Sequence, residues 1–226
     1  MPVCPTCGQP TEPPAGTIIV TDAILPQVKD LAPRPGPVNA IVYHTTGRGL
    51  AKVAAKGGAP GTVAYDEAAL VWYRRSGHPY FGAYMVGPSG LAYRLAPDNV
   101  KAWHAASLTA EQAAGRVVAP MWWRERWAPL PGPHALVGRS INAVTVGVDA
   151  LPLPDGTFSV AQFDTLAALG RMLATAHGFS LERIHHLGHE DVDPWRRGVT
   201  SAGVERPWDP GWDWADFMAR LQGAHA

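Results

Sequence analysis

Short apolar runs alternate with helically spaced segments along the chain. From Val38, "VNAIVYH" is continuous, apolar and rich in β-branched residues, the pattern of a strand buried on both faces; His44 ends it. "DEAALVWYRRSG" sets Ala68, Ala69, Val71 and Trp72 near helical spacing, with Gly77 just beyond, which predicts a helix. "YFGAYMVGPSGLAYRL" predicts a hairpin around "GPSG". "TAEQ" at 109–112 fits a capping box that opens a helical stretch through "MWWRERW", ended by "PLPGP". Those tryptophans read as packing, with an aromatic sugar-binding surface as the alternative. "AVTVGVDAL" is a second buried strand, carrying Asp149 where an apolar residue is expected.

"SVAQ" at 159–162 is another capping box, leading a helix with Phe163, Leu166, Gly170 and Leu173 on one face and Gly178 as its stop. "RIHHLGHEDV" predicts a short strand running into a loop. "DPGWDWADFMARL" predicts a final helix capped by Asp213, with Trp214, Phe217, Met218 and Leu221 facing inward. Interleaved strands and helices define the α/β class. Residues 1–37 carry prolines at 2, 5, 10, 13, 14, 26, 33, 35 and 37. They deny regular helix and remove ladder donors, so this stretch is expected to be an irregular extension with one short apolar piece at "TIIVTDAIL". The domain proper is expected over 38–226.

Composition narrows the function. With 226 residues, 46% hydrophobic and 17% charged, the chain suffices for one buried core, and a single monomeric domain is expected. Lys+Arg and Asp+Glu both count 19, and no basic run offers the phosphate neutralisation that nucleic-acid binding needs. No stretch reaches the ~20 apolar residues of a membrane span, and "MPVCPTCGQP" lacks a secretory signal pattern, so synthesis in the cytoplasm is expected. Cys4 and Cys7 in "CPTCG" resemble one knuckle of a zinc ribbon, but no second CxxC exists. They read as a reduced dithiol on a tail, or as half of a zinc site shared with histidines or a second chain.

Five polar residues fall at strand ends or in loops: His44, His104, Asp149, His189 and Asp209. A catalytic zinc takes three protein ligands, commonly histidines with a carboxylate or thiolate, and keeps one position open. Spacing alone leaves alternatives, because nine histidines allow many combinations and Asp191 or Asp193 could replace Asp209. His185 and His186 cannot both face one metal from one strand, and His78, His134 and His177 sit beside Gly or Pro, as in loops or at a helix end.

The series "VYHTTG", "AWHAA", "NAVTVGVD", "LGHEDV" and "DPG", in that order, resembles the zinc-dependent N-acetylmuramoyl-L-alanine amidases. This is the family shared by bacterial recycling amidases, phage endolysins and peptidoglycan recognition proteins. The resemblance covers Val38 to the C-terminus and implies a central mixed sheet flanked by helices. It also implies Zn2+ held by His44, His189 and Asp209, His104 at the substrate groove, and Asp149 as the acid/base group. The amide between N-acetylmuramic acid and L-alanine of peptidoglycan or a muropeptide is the implied substrate. Three departures stand out. A lysine common two residues before the third ligand is Pro207 here, leaving Arg206 or Arg197, with His104 as a neutral donor, to serve the oxyanion. A tyrosine carried by some members falls on Ala83, with Tyr84 next door. The family glutamate is the shorter Asp149, which would work through an intervening water. A non-catalytic muropeptide-binding module of the same fold is the rival reading; Asp209 argues against it and Pro207 for it. Asp149 as a buried structural acid is the corresponding alternative for that residue. Both a phage lysin released onto the wall and a cytoplasmic recycling enzyme fit the sequence.

Overall fold

A computed structural model describes residues 18–77, 79–105, 141–192 and 209–224. The elements are β1 (Val20–Asp22), β2 (Ala40–Thr45), α1 (Gly47–Ala54), α2 (Val63–Ser76), β3 (Tyr84–Val86) and β4 (Ala92–Arg94). They continue with α3 (Ile141–Val144), β5 (Thr145–Ala150), α4 (Val160–His177), β6 (His186–Gly188), α5 (His189–Val192) and α6 (Trp214–Leu221). The six strands form one mixed sheet in the order β1-β4-β3-β5-β2-β6, in which only the β3–β4 hairpin is antiparallel. The predicted hairpin, the two long buried strands and the α/β class are all present.

The central strands are buried on both faces because helices cover each side. Tyr43 turns to one face, where it meets Phe217 of α6 with ring centroids 5.0 Å apart. Leu166 and Leu173 of α4 and Leu221 of α6 are buried in the same core. His44, next along β2, therefore turns to the opposite face. Ala40 and Val42 share that face and join Leu187, Val192 and the α3 residues Ile141, Ala143 and Val144 in a second apolar cluster. Asp213 caps α6 by accepting from the Ala215 and Asp216 N–H groups. Gly178 ends α4 with φ 75°, the left-handed conformation glycine adopts without Cβ strain.

Several expectations are corrected. The described part of the proline-rich extension packs with the sheet: β1 pairs with β4, and Leu25 is buried. Arg34 donates to four backbone carbonyls, of Asp98, Val100, Asn142 and Thr145, at 2.7–3.0 Å, so prolines there coexist with tertiary anchoring. The expected helix is α2, and its buried residues are Tyr65, Asp66, Ala69, Leu70 and Tyr73, while Val71 is exposed. Polar atoms hid this face: the Tyr65 hydroxyl donates to the Ala51 and Pro152 carbonyls, which satisfies a buried phenol. Ser159 caps α4, but the Gln162 amide does not return to it and donates instead to the Val86 and Leu151 carbonyls. Val144 lies in α3, so β5 begins at Thr145. The segment after β6 is not a loop at first but the single turn α5, which starts at His189. The expected helix from "TAEQ" through "MWWRERW", Cys4, Cys7, His78, His134, Asp193, Arg197, Arg206 and Pro207 lie outside the described residues. Among the described residues no helix is long and apolar enough to cross a membrane.

Candidate metal and acid/base site

Strand register assembles the site. His44 of β2 is paired in parallel with Asp149 of β5, and Tyr43 with Gly188 of β6, so His189 emerges beside His44. The three polar residues thus stand at the carboxyl ends of adjacent strands, where open α/β sheets place their ligands. Asp209 is brought in from beyond α5: its Oδ1 accepts the Thr45 N–H at 2.5 Å, and its carbonyl accepts the Glu190 N–H at 3.2 Å.

The donor atoms converge. His44 Nδ1 lies 3.1 Å from His189 Nδ1, His189 Nδ1 lies 2.9 Å from Asp209 Oδ2, and His44 Nδ1 lies 3.9 Å from the same oxygen. Ligands at about 2.0–2.1 Å from a tetrahedral zinc stand about 3.3 Å from one another. The three separations bracket that spacing, and two imidazole nitrogens with a carboxylate oxygen form a donor set that zinc accepts. All three residues are buried, and the sequence-expected ligands are the group that comes together. Burial works against ionising Asp209, but the bond from His189 and the two neighbouring imidazoles hold its carboxyl well below the usual range. The carboxylate is the form a metal binds.

Asp149 is buried beside this group, and its Oδ2 accepts from the Tyr73 hydroxyl at 2.9 Å and the Gly82 N–H at 2.9 Å. Burial pushes its carboxyl pKa up, only partly offset by the charge of His44 and by those two bonds. A buried carboxyl raised above its ordinary range suits proton transfer. Tyr84, by contrast, donates to Asp98 Oδ1 and takes no part.

His104 stands behind His44. Its ring is buried, with Nδ1 3.0 Å from His44 Nε2 and Nε2 3.2 Å from Thr145 Oγ1. Burial, the largest cause, pushes its pKa well down, which keeps the ring neutral. Gly147 of β5 makes room for it: a Cβ there would sit 2.5 Å from His104 Cγ. The Asn142 side chain fixes the backbone on either side, accepting from the His104 and Ala105 N–H groups and donating to the Ala105 carbonyl.

Tyr73, Thr145, Asn142 and Arg34 were not legible as site residues. The one available signal was Gly147, an isolated glycine inside a strand pattern, which marks close approach of another group. His186 and His185 are structural, bonded respectively to the Tyr43 hydroxyl and the Asn39 carbonyl.

Comparison with known proteins follows the same lines. Residues 34–212 match the N-acetylmuramoyl-L-alanine amidase family. No curated protein sequence matches the chain. Among solved structures, a mutant endolysin from Bacillus subtilis is 18% identical with a TM-score of 0.52, covering 91% of this chain and 99% of its own. A selenomethionine AmpD derivative is 17% identical with a TM-score of 0.53, covering 91% and 97%. The Staphylococcus aureus hydrolase AmiA, in complex with its ligand, is 10% identical with a TM-score of 0.54, covering 90% and 81%. At these identities the structures establish a shared fold.

Proposed function

The chain belongs to the N-acetylmuramoyl-L-alanine amidase family, and from that premise we propose that it is a zinc-dependent hydrolase of the amide joining N-acetylmuramic acid to L-alanine in peptidoglycan. The observation that carries the reading is the convergence of His44 Nδ1, His189 Nδ1 and Asp209 Oδ2. These three atoms would hold the metal. When bound, Zn2+ supplies Lewis-acid polarisation of a carbonyl and a water acidic enough to react at neutral pH.

The remaining work falls to the chain's own side chains. Tyr73 and Gly82 both bind Asp149 Oδ2, which orients the carboxylate and assigns Oδ1 to proton transfer. Asp149 accepts the proton of the attacking water and returns it to the departing L-alanine nitrogen, so the lactyl carboxylate and a free amine result. Its raised pKa favours holding that proton between the two steps. Arg206, or else Arg197, is assigned to the developing oxyanion, replacing the family lysine absent at Pro207.

A non-catalytic muropeptide-binding module remains the rival, and Asp209 as a third converging donor favours hydrolysis over it. Of the two settings the sequence fits, a lysin made in the cytoplasm and acting on intact wall is the one proposed, with the cysteine-bearing tail lying ahead of the matched segment 34–212. Zinc content tests the metal assignment: one ion per parent chain is expected and none in His189→Ala. Equal zinc in both would refute the ligand set.

A further inference from the structure

We propose that His104 is a positioning residue that fixes the tautomer of His44, so that Nδ1 rather than Nε2 is presented to the metal; this rests on the metal reading above. The inference follows from counting protons along a buried chain of hydrogen bonds. Thr145 Oγ1 lies 2.7 Å from the Ile141 carbonyl oxygen, which can only accept, so the hydroxyl proton is committed to it. Towards His104 the same oxygen can therefore only accept, at 3.2 Å, and His104 Nε2 must carry a hydrogen. A neutral imidazole carries one hydrogen, so His104 Nδ1 is the acceptor. It faces His44 Nε2 at 3.0 Å, and His44 Nε2 must donate. The lone pair of His44 is thereby left on Nδ1, the atom that faces His189 Nδ1 and Asp209.

Tertiary contacts hold this relay in place. Thr145 opens β5 immediately after α3, and its own carbonyl accepts from the Arg34 guanidinium at 2.7 Å. His104 is clamped from below by Asn142 and seated over Gly147. An imidazole ligand needs a partner on its second nitrogen to set ring orientation and donor atom, commonly a carboxylate or a backbone carbonyl. Here a second histidine takes that place and passes the constraint to the Ile141 carbonyl. His104 thus acts on the metal through His44 and touches no substrate.

Nitrogen-15 NMR of histidine-labelled full-length protein, first metal-free, tests the relay without depending on metal binding. Both His44 and His104 are expected as single Nε2–H tautomers. Thr145→Val, which keeps the shape and the backbone carbonyl but removes the hydroxyl acceptor, should lower the Nε2–H share of His104. Zinc affinity by chelator competition is the second arm. His104→Phe should weaken it about 10–100-fold, the usual effect of losing such a partner. His104→Asn, which restores an acceptor near the Nδ1 position, should recover most of it. Either ring protonated mainly on Nδ1, or His104→Phe binding zinc as tightly as the parent, would overturn the proposal. Failure of the parent to bind zinc would refute the metal reading itself, while the tautomer spectrum still decides the relay.

Discussion

Replacing Asp149 by asparagine removes a proton acceptor while keeping a shape. The two bonds at Oδ2, from Tyr73 and Gly82 at 2.9 Å each, can both be accepted by an amide oxygen in the same place. Loss of a general base lowers kcat by about 10²–10⁴, equivalent to about 3–5 kcal/mol of barrier. Stability should move the other way or not at all. Burial raises the carboxyl pKa of Asp149, so the ionised group costs folding energy that a neutral amide does not. The assay follows muropeptide cleavage by mass spectrometry, with zinc content and thermal unfolding measured on the same preparations. The expected result is a fall of two to four orders of magnitude in turnover, unchanged zinc, and an unchanged or higher midpoint. Cleavage at the parent rate would refute the acid/base assignment and leave Asp149 a structural acid. Asp149→Glu supplies the complementary arm: its extra methylene should reach the reacting water directly and preserve substantial activity.

Other outcomes follow from the same geometry. Asp66 is fully buried on α2 against Ser89, and burial pushes its carboxyl from 3.8 up to about 6. Because the folded pKa is the higher one, its favourable contribution is complete below about 3.8 and is lost as pH rises through about 6. Asp66→Asn should therefore stabilise the protein at pH 7.5 by up to about 3 kcal/mol and give no advantage at pH 3.5, as read by urea unfolding; a pH-independent difference would contradict the argument. Phe217→Ala removes a fully buried ring from the core around Tyr43 and should cost about 3–5 kcal/mol in the same assay without changing zinc stoichiometry. Cys4→Ser combined with Cys7→Ser should leave turnover unchanged, since half a zinc knuckle closes no site; a large loss of activity would place the tail in the catalytic unit.

How much of this was legible in the sequence depended on whether burial and polarity agreed. β2 and β5 were readable because both faces are covered and every exposed-looking position is apolar until the functional residue interrupts the run. His44 and Asp149 stood out for that reason, and the register that pairs them follows from two parallel strands of equal length. The helix α2 was readable, but not that Tyr65, Asp66 and Tyr73 line its inward face, because they bury polar atoms whose partners lie far along the chain and only the fold supplies those partners. Glu190 illustrates the same limit. Burial pushes its carboxyl up to about 7, and one oxygen accepts from the Trp214 indole at 3.0 Å, a contact across 24 residues that no local pattern announces. His104 was found as a residue of interest, but its surroundings, Thr145, Asn142 and Gly147, belong to a strand and helix it meets only in three dimensions.

The central claim is that this chain cleaves the lactyl–L-alanine amide with a metal held by His44, His189 and Asp209. Incubation of the zinc-replete protein with intact sacculi and, in parallel, with free muropeptides, followed by mass spectrometry of the products, tests it most directly. The predicted result is stem peptides with a free L-alanine amine and glycan with a free lactyl carboxylate, released from sacculi by the parent and not by His189→Ala. Intact linkages in both substrates, or equal release by His189→Ala, would contradict it.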